Sequence, residues 1–168
     1  MWDEELHVAG QAAKKAGPIL TRLFGQVGHV KKKGAIDLVT EADLLSEKSI
    51  LEAIGSRFPQ DNILSEESGR HGKVSDRTWF VDPLDGTINF VHGFPFFAVS
   101  IALEIKGQIV LGVVYNPFMN EYFEARRGTG AYLNKKPIKV SEVNRLGESL
   151  LGTGFPYTVH ERPQRVVE

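Results

Sequence analysis

The spacing of hydrophobic and polar positions predicts that the chain begins with helices. From residue 3 to about residue 24, apolar side chains recur every three or four positions, the period of a helix with one buried face. The dipeptide Gly17-Pro18 interrupts this pattern and predicts a kink or a division into two helices. The predicted buried stripe consists of Leu6, Ala9, Ala13, Ala16, Leu20 and Leu23.

A second helix is predicted to follow a polar loop at residues 31–34. Thr40 is suited to cap a helix amino terminus, and Glu41 and Asp43 come in the first turn, where the helix dipole favours negative charge. Pro59 marks the expected end of this helix. Its predicted buried stripe consists of Leu44, Leu45, Ile50, Leu51, Ile54 and Phe58.

Beyond the second helix the pattern changes to the period of β-strands. The dipeptide Lys106-Gly107 joins two long β-rich runs and predicts a hairpin. Because helices come first and adjacent strands later, we predict an α+β fold in which two helices pack on one face of a mostly antiparallel sheet. The predicted strands are 62–64, 78–82, 97–105, 108–115 and 121–126, with turns and short strands after them.

The last part of the chain is predicted to begin a second structural unit. Residues 146–151 have the pattern of one more strand, and residues 157–168 that of a helix with no stop signal. We therefore expect an α+β domain over residues 1–145 and the start of a truncated second α/β domain over residues 146–168.

Composition narrows the classes of function. Hydrophobic residues make up 42% of the chain and charged residues 24%, as in ordinary soluble globular proteins. The net charge of −1 does not favour nucleic acid or an anionic membrane, and the three lysines at 31–33 are typical of a solvated loop. With no cysteine, disulfides, thiolate zinc sites and a cysteine nucleophile are excluded.

The same features predict a cytoplasmic protein with neither nucleic acid nor membrane as a partner. The acidic start of the chain lacks the basic and apolar segments of a secretory signal. No apolar run approaches the roughly 20 residues that span a bilayer.

Candidate chemistry is concentrated where a predicted strand ends in two aspartates. Asp82 and Asp85 flank Pro83-Leu84, a tight bend that can direct both carboxylates, and the Leu84 carbonyl, toward one point. Glu66 ends another short apolar segment and brings a third carboxylate. Oxygen ligands of this kind are the ones that Mg²⁺ prefers in proteins. The pattern predicts a metal-dependent phosphatase site.

The residues that follow are suited to a phosphate. A helix beginning at Gly86-Thr87 would offer backbone N–H groups and its positive dipole end, and Gly86 would permit close approach of the backbone. The Thr87 hydroxyl is suited to orient a water molecule. Two metals about 4 Å apart can activate that water and stabilise the leaving oxygen without a covalent nucleophile.

Each feature also has a purely structural interpretation. The segment 82–86 is typical of a turn, since Asp, Pro and Gly dominate turns. The pair Glu66-Glu67 is compatible with a solvated loop, and Thr40 and Asp43 with a helix cap alone. The functional interpretation depends on their combination. We expect four further aromatic residues to be core: Phe90, Phe94, Phe96 and Phe97.

The segment Asp82-Pro83-Leu84-Asp85-Gly86-Thr87-Ile88-Asn89-Phe90 resembles the signature of the inositol monophosphatase family. The flanking segments 37–43, 65–69, 94–96 and 98–103 agree in order and spacing. The resemblance implies the amino-terminal part of a layered αβαβα sugar-phosphatase fold, with the second α/β half mostly absent. It also implies a lithium-sensitive phosphomonoesterase that uses two or three Mg²⁺ ions and acts on a small phosphorylated polyol or sugar.

The resemblance also implies roles for single residues. Glu66, Asp82 and the Leu84 carbonyl would hold the first metal, and Asp82 and Asp85 the second, with Glu66 also touching a third. Asp43 and Thr87 would orient the attacking water together with the metal ligand Glu66. The phosphate and substrate would be bound by Gly86, Thr87 and Lys32, with Lys32 aligned only to within a residue.

The sequence departs from the family pattern at its far end, where no Trp-Asp motif completes the second metal site. The leading hypothesis is hydrolysis of inositol 1-phosphate. The alternatives are a relative acting on fructose 1,6-bisphosphate or a phosphorylated nucleotide, and a truncated non-catalytic binding or oligomerisation module. Apolar faces left bare by truncation would promote association, and a homodimer is the expected state.

Overall fold

The computed structural model describes residues 1–26, 30–32 and 38–152, and the side chains of residues 1–26 and 40–152. The chain forms two compact units, Met1–Ile138 and Lys139–Glu168. The first unit contains the helices and sheets discussed below. The described part of the second unit contains one turn of 3-10 helix, Leu146–Glu148.

Helix α1 spans Asp3–Leu23 as one continuous helix with Pro18 inside it, so the predicted division into two helices is wrong. Its buried face is built of small residues, including Gly10 and Gly17. A Cβ atom at Gly17 would lie 2.5 Å from Tyr115 Cε1, which is closer than real side chains allow. The small residues therefore let the helix backbone approach the sheet.

Helix α2 spans Glu41–Arg57 and begins with the predicted Thr40 cap. Its buried face differs from the predicted apolar stripe. Leu44 is 48% exposed, whereas Asp43, Ser46 and Glu47 are buried. The prediction for Leu44 is wrong because hydrogen bonds of these polar residues, described below, turn that side of the helix inward.

The large sheet has eight strands in the order β10-β9-β8-β7-β6-β5-β3-β4, beside a two-stranded sheet of β1 and β2. Every strand pair is antiparallel except β3 with β5. Helix α1 packs on β6 and β7, and α2 packs on β5. The strands are β1 Val30–Lys32, β2 Leu38–Thr40, β3 Asn62–Ser65, β4 Gly69–Gly72, β5 Arg77–Asp85, β6 Ala98–Ile105, β7 Gln108–Asn116, β8 Glu121–Arg126, β9 Gly130–Leu133 and β10 Lys136–Ile138.

The predicted α+β architecture is confirmed, with two long helices on a mostly antiparallel sheet. The hairpin at Lys106-Gly107 is also confirmed, and both residues have positive φ, as the commonest two-residue hairpin turn requires. None of the helices in the described ranges combines the length and apolarity needed to cross a membrane.

Several local predictions are wrong. The predicted strand at 146–151 contains a 3-10 turn, and Leu150 and Leu151 are exposed. Lys31 and Lys32 lie in β1 instead of a loop because this segment pairs with β2. Strand β4 lies between the predicted strands 62–64 and 78–82, in a segment where no strand was predicted. The predicted helix at 157–168 lies outside the described residues.

A partly buried ionic network connects α1 to the sheet beneath it. Arg77 Nε donates to both carboxylate oxygens of Asp61 at 3.0 Å, and Trp79 Nε1 donates to Asp61 Oδ2 at 2.9 Å. Arg77 Nη2 reaches Glu5 of α1, also at 3.0 Å. Asp61 is 6% exposed, and Trp79 is fully buried. This network fixes the start of β5, the strand that leads to the candidate site.

Candidate metal centre

Strand β5 ends in a bulge that carries the two predicted aspartates. Asp82 pairs with Ser100 of β6, and the next pair is Asp85 with Ala98. Pro83 and Leu84 thus lie together opposite one residue of β6, as in a β-bulge. A bulge removes carbonyl groups from the regular hydrogen-bond ladder, so they are available for other partners.

The two carbonyl groups in the bulge have different partners. The Pro83 carbonyl accepts a hydrogen bond from Ser46 Oγ at 2.7 Å. The Leu84 carbonyl accepts one from Thr87 Oγ1 at 3.0 Å, and the Leu84 N–H donates to Asp82 Oδ1 at 3.1 Å. The bend is therefore fixed from three sides, and the Leu84 oxygen faces the candidate catalytic threonine.

The predicted carboxylates are close enough to interact electrostatically. Burial, followed by the negative charge and hydrogen bond of Glu66 and by the charge of Asp85, raises the pKa of Asp82 to about 8. Asp82 is half-buried, while Glu66 and Asp85 are exposed. The structure thus places Glu66, in the turn after β3, and Asp85, on β5, within electrostatic range of Asp82.

These side chains do not converge on one point. No group of three or more acidic or histidine side chains within the described ranges has the geometry of a ligand set. Charge repulsion acts over longer distances than a metal–ligand bond. The carboxylates can therefore raise the pKa of Asp82 without forming a ligand set. The donors, carboxylate oxygens with a bulge carbonyl, are those that Mg²⁺ prefers, and a bound cation would relieve their repulsion.

Asp43 links the start of α2 to the site. Its Oδ2 atom accepts hydrogen bonds from Thr40 N at 2.8 Å and from Thr40 Oγ1 at 2.5 Å, which completes a capping box. Its Oδ1 atom lies 3.3 Å from Thr87 Oγ1, whose single proton is donated either to this oxygen or to the Leu84 carbonyl. Asp43 is 1% exposed, and burial raises its pKa. The structural interpretation as a cap is confirmed, and the same carboxylate also contacts the candidate catalytic hydroxyl.

Gly86 occupies a constrained position between the bulge and α3, the short helix Thr87–Val91. Its φ is +93°, in the region that favours glycine, and a Cβ atom would lie 3.1 Å from the Phe96 carbonyl oxygen. That carbonyl also accepts a hydrogen bond from Asn89 Nδ2 at 2.8 Å. The predicted helix start is confirmed.

We expect Gly86→Ala to destabilise the protein more than Gly93→Ala. Both glycines have positive φ, and alanine there costs about 1–2 kcal/mol from the backbone alone. Only Gly86 adds a close contact, since nothing lies within 4 Å of a Cβ atom at Gly93. Urea unfolding of both variants measures the difference, and equal losses would contradict a sterically closed site at Gly86.

Comparison with known proteins agrees with this geometry. The family model described as the inositol monophosphatase family matches residues 1–168. The chain belongs to the inositol monophosphatase family. The resemblance found in the sequence is thereby confirmed.

Individual relatives extend this result. The chain is 48% identical over 155 residues to inositol monophosphatase 3 of Solanum lycopersicum, covering 90% of this chain and 58% of that protein. It matches the crystal structure of the extragenic suppressor protein suhB from Bartonella henselae with a TM-score of 0.83 and 47% identity, covering 86% of this chain and 57% of the other.

A third comparison is the inositol monophosphatase from Anabaena (Nostoc) sp. PCC 7120. Its TM-score is 0.82 at 42% identity, with 95% of this chain and 58% of that chain covered. The chain therefore spans just under three fifths of the length of these family members.

Three further points compare the sequence predictions around the site with the structure. The backbone of Lys32 lies in β1, but its side chain lies outside the described set, so its substrate-binding role stays a prediction. Phe94 and Phe96 are 58% and 56% exposed, against the prediction of core, because they lie in the loop after α3. Sequence reasoning missed Ser46 and Glu47, although polar residues three and four positions after Asp43 were a usable signal.

Proposed function

We propose that this chain carries the metal- and phosphate-binding part of a Mg²⁺-dependent phosphate monoesterase. The observation that carries this proposal is the proximity of Glu66, Asp82 and Asp85 around a β-bulge whose Leu84 carbonyl contacts Thr87. Membership of the inositol monophosphatase family supports the same chemistry.

The proposed ligands are divided between two principal ions. Glu66, Asp82 and the Leu84 carbonyl would hold one Mg²⁺, Asp82 and Asp85 would hold a second, and Glu66 would also contact a third. Bound Mg²⁺ supplies a Lewis acid for the phosphoryl group and lowers the pKa of coordinated water. The raised pKa of free Asp82 supports this assignment, because a cation would stabilise a carboxylate that is partly buried and lies near the negative charges of Glu66 and Asp85.

The proposed role of Thr87 is to orient the attacking water. When its hydroxyl donates to Asp43, the lone pairs on its oxygen can accept a hydrogen bond from water. Asp43, whose pKa is raised by burial, would accept the proton through that hydroxyl. Water oxygen would form a bond to phosphorus as the ester P–O bond breaks; the leaving alkoxide would take a proton from solvent, and Asp43 would return its own proton to solvent.

The phosphate is proposed to lie at the backbone amides of Gly86 and Thr87. The positive φ of Gly86 supports this, since a side chain there would meet the Phe96 carbonyl. Inositol 1-phosphate is the proposed substrate, because relatives at 46–48% identity are named inositol monophosphatases. Lithium sensitivity, a homodimer and a cytoplasmic location belong to the same proposal.

Phosphate release from inositol 1-phosphate, measured with and without Mg²⁺, tests the proposed function. We expect Mg²⁺-dependent release by the native chain and a loss of about 100-fold or more in Asp85→Asn, because one ligand of the second ion is neutralised. Asp76→Asn, an exposed aspartate before β5, is the matched control and should retain the activity. Release without Mg²⁺ dependence would contradict the mechanism, and Mg²⁺ binding without release would favour the non-catalytic module.

A further inference from the structure

One face of helix α2 contacts three separate segments of the candidate metal centre. Asp43, Ser46 and Glu47 lie at positions i, i+3 and i+4, the spacing that places side chains on the same side of a helix. They are 1%, 0% and 5% exposed. A buried polar ridge is costly unless its members are hydrogen-bonded, so the partners of each residue indicate what the ridge does.

Ser46 is bonded to the bulge that carries the metal ligands. Its Oγ atom donates to the Pro83 carbonyl at 2.7 Å across 37 positions of sequence. The neighbouring Leu84 carbonyl accepts a hydrogen bond from Thr87 Oγ1. The Ser46 hydrogen bond therefore ties the bend to α2 one residue before Leu84.

Glu47 is bonded to the turn that follows the other proposed ligand. Its Oε1 atom accepts a hydrogen bond from the backbone N–H of Ser68 at 3.0 Å. Ser68 lies two positions after Glu66, and Glu66 N donates to the Val81 carbonyl at 3.0 Å, which aligns this turn with β5. The position of Glu66 relative to Asp82 is therefore fixed from both ends of the turn.

We propose that Ser46 and Glu47 are positioning residues that set the distance between the metal ligands on β5 and the ligand after β3. Both residues lie on one rigid helix, so the bulge and the turn are held in a common frame with Asp43. The inference rests on the proposed function, and it assigns to this chain the outer contacts that orient metal-binding carboxylates.

The same helix provides a matched control. Ser49 is also a buried serine, at 7% exposed, and its hydroxyl has no hydrogen-bond partner in the described part of the chain. Ser49→Ala therefore removes the same atom from the same helix without removing a contact to the site. For Glu47, the exposed Glu52 on α2 serves the same purpose.

Calorimetric titration of Mg²⁺ into the metal-free protein at pH 7.5 tests the proposal without relying on turnover. We expect Ser46→Ala and Glu47→Ala to raise the Kd for Mg²⁺ by about 10-fold, with changes below about 2-fold for Ser49→Ala and Glu52→Ala. Glu47→Gln retains an oxygen that can accept from Ser68, so it should restore the affinity to within about 3-fold of native.

The outcomes separate this proposal from the one on which it rests. A native protein that binds no Mg²⁺ overturns the proposed function and this inference together. If the native protein binds Mg²⁺ and Ser46→Ala and Glu47→Ala bind it with unchanged affinity, this inference alone is overturned. It is also overturned if Glu47→Gln binds Mg²⁺ as weakly as Glu47→Ala, because the charge of Glu47 and not its hydrogen bond would then matter. The melting temperature in EDTA shows whether Ser46→Ala folds. If it does not, the Glu47 variants alone test the positioning role.

Discussion

Replacing Asp82 with asparagine is expected to raise the melting temperature of the metal-free protein, and to raise it more at pH 8 than at pH 5. In the folded state the pKa of Asp82 is raised to about 8, mainly by burial and by Glu66, from its ordinary value of 3.8. Between these values the folded state holds a proton that the unfolded state has lost. Stability of the native chain therefore falls as pH rises through this range, while the asparagine variant avoids that loss.

Melting curves in EDTA at the two pH values, with Asp76→Asn as an exposed control, measure this effect. Addition of Mg²⁺ should reverse the order, because a bound cation stabilises the native carboxylates by mass action and the variant lacks a ligand. An equal gain in melting temperature at pH 5 and pH 8 would show that ionisation of Asp82 does not destabilise the site. A loss of stability in EDTA would assign Asp82 a structural role.

Replacing Asp61 with alanine is expected to destabilise the protein by about 2 kcal/mol or more. The change leaves Arg77 Nε and the Trp79 N–H without their acceptor, while Arg77 keeps its contact with Glu5. A donor that loses its acceptor is costly where water cannot replace it, and Trp79 is fully buried. Chemical denaturation of the native chain and the variant gives the difference in the free energy of unfolding.

An exposed ion pair between the two long helices provides the comparison. Arg57 contacts Glu4 with both side chains more than half exposed, so Glu4→Ala should cost less than about 1 kcal/mol. The loss of stability in Asp61→Asn, which keeps one oxygen acceptor, should fall between the losses in Asp61→Ala and Glu4→Ala. If Asp61→Ala costs no more than Glu4→Ala, the partly buried network does not hold β5 in place.

Much of the architecture could be predicted from local signals in the sequence. Thr40 at the start of α2 and Lys106-Gly107 in the hairpin are positions where side-chain hydrogen bonding and positive φ decide the structure. The period of apolar residues located α1 and the long strands β6 and β7. The fold class and the family followed from these signals and from the segment 82–90.

Other features depend on contacts between distant segments and could not be predicted from local patterns. The exposure of Leu44 follows from the hydrogen bonds of Ser46 and Glu47 to Pro83 and Ser68, which lie 37 and 21 positions away. A hydrophobic stripe alone suggested the wrong side of the helix.

The candidate site shows the same division. The acidic residues were identified by type and spacing, since Asp82 and Asp85 flank a dipeptide typical of bends. The bulge that pairs them with Ser100 and Ala98 depends on β6, a later strand, and so was not evident from the segment itself. The outer contacts of Ser46 and Glu47 had only their spacing from Asp43 as a signal in the sequence.

Binding of Mg²⁺ to the native chain, compared with a variant in which Glu66, Asp82 and Asp85 are all changed to their amides, tests the central claim most directly. Isothermal titration into metal-free protein at pH 7.5 is the measurement. We expect saturable binding by the native chain and none by the triple variant, with both chains folded by circular dichroism. Equal Mg²⁺ binding by the two chains, or none by the native chain, would contradict a metal centre at the β5 bulge.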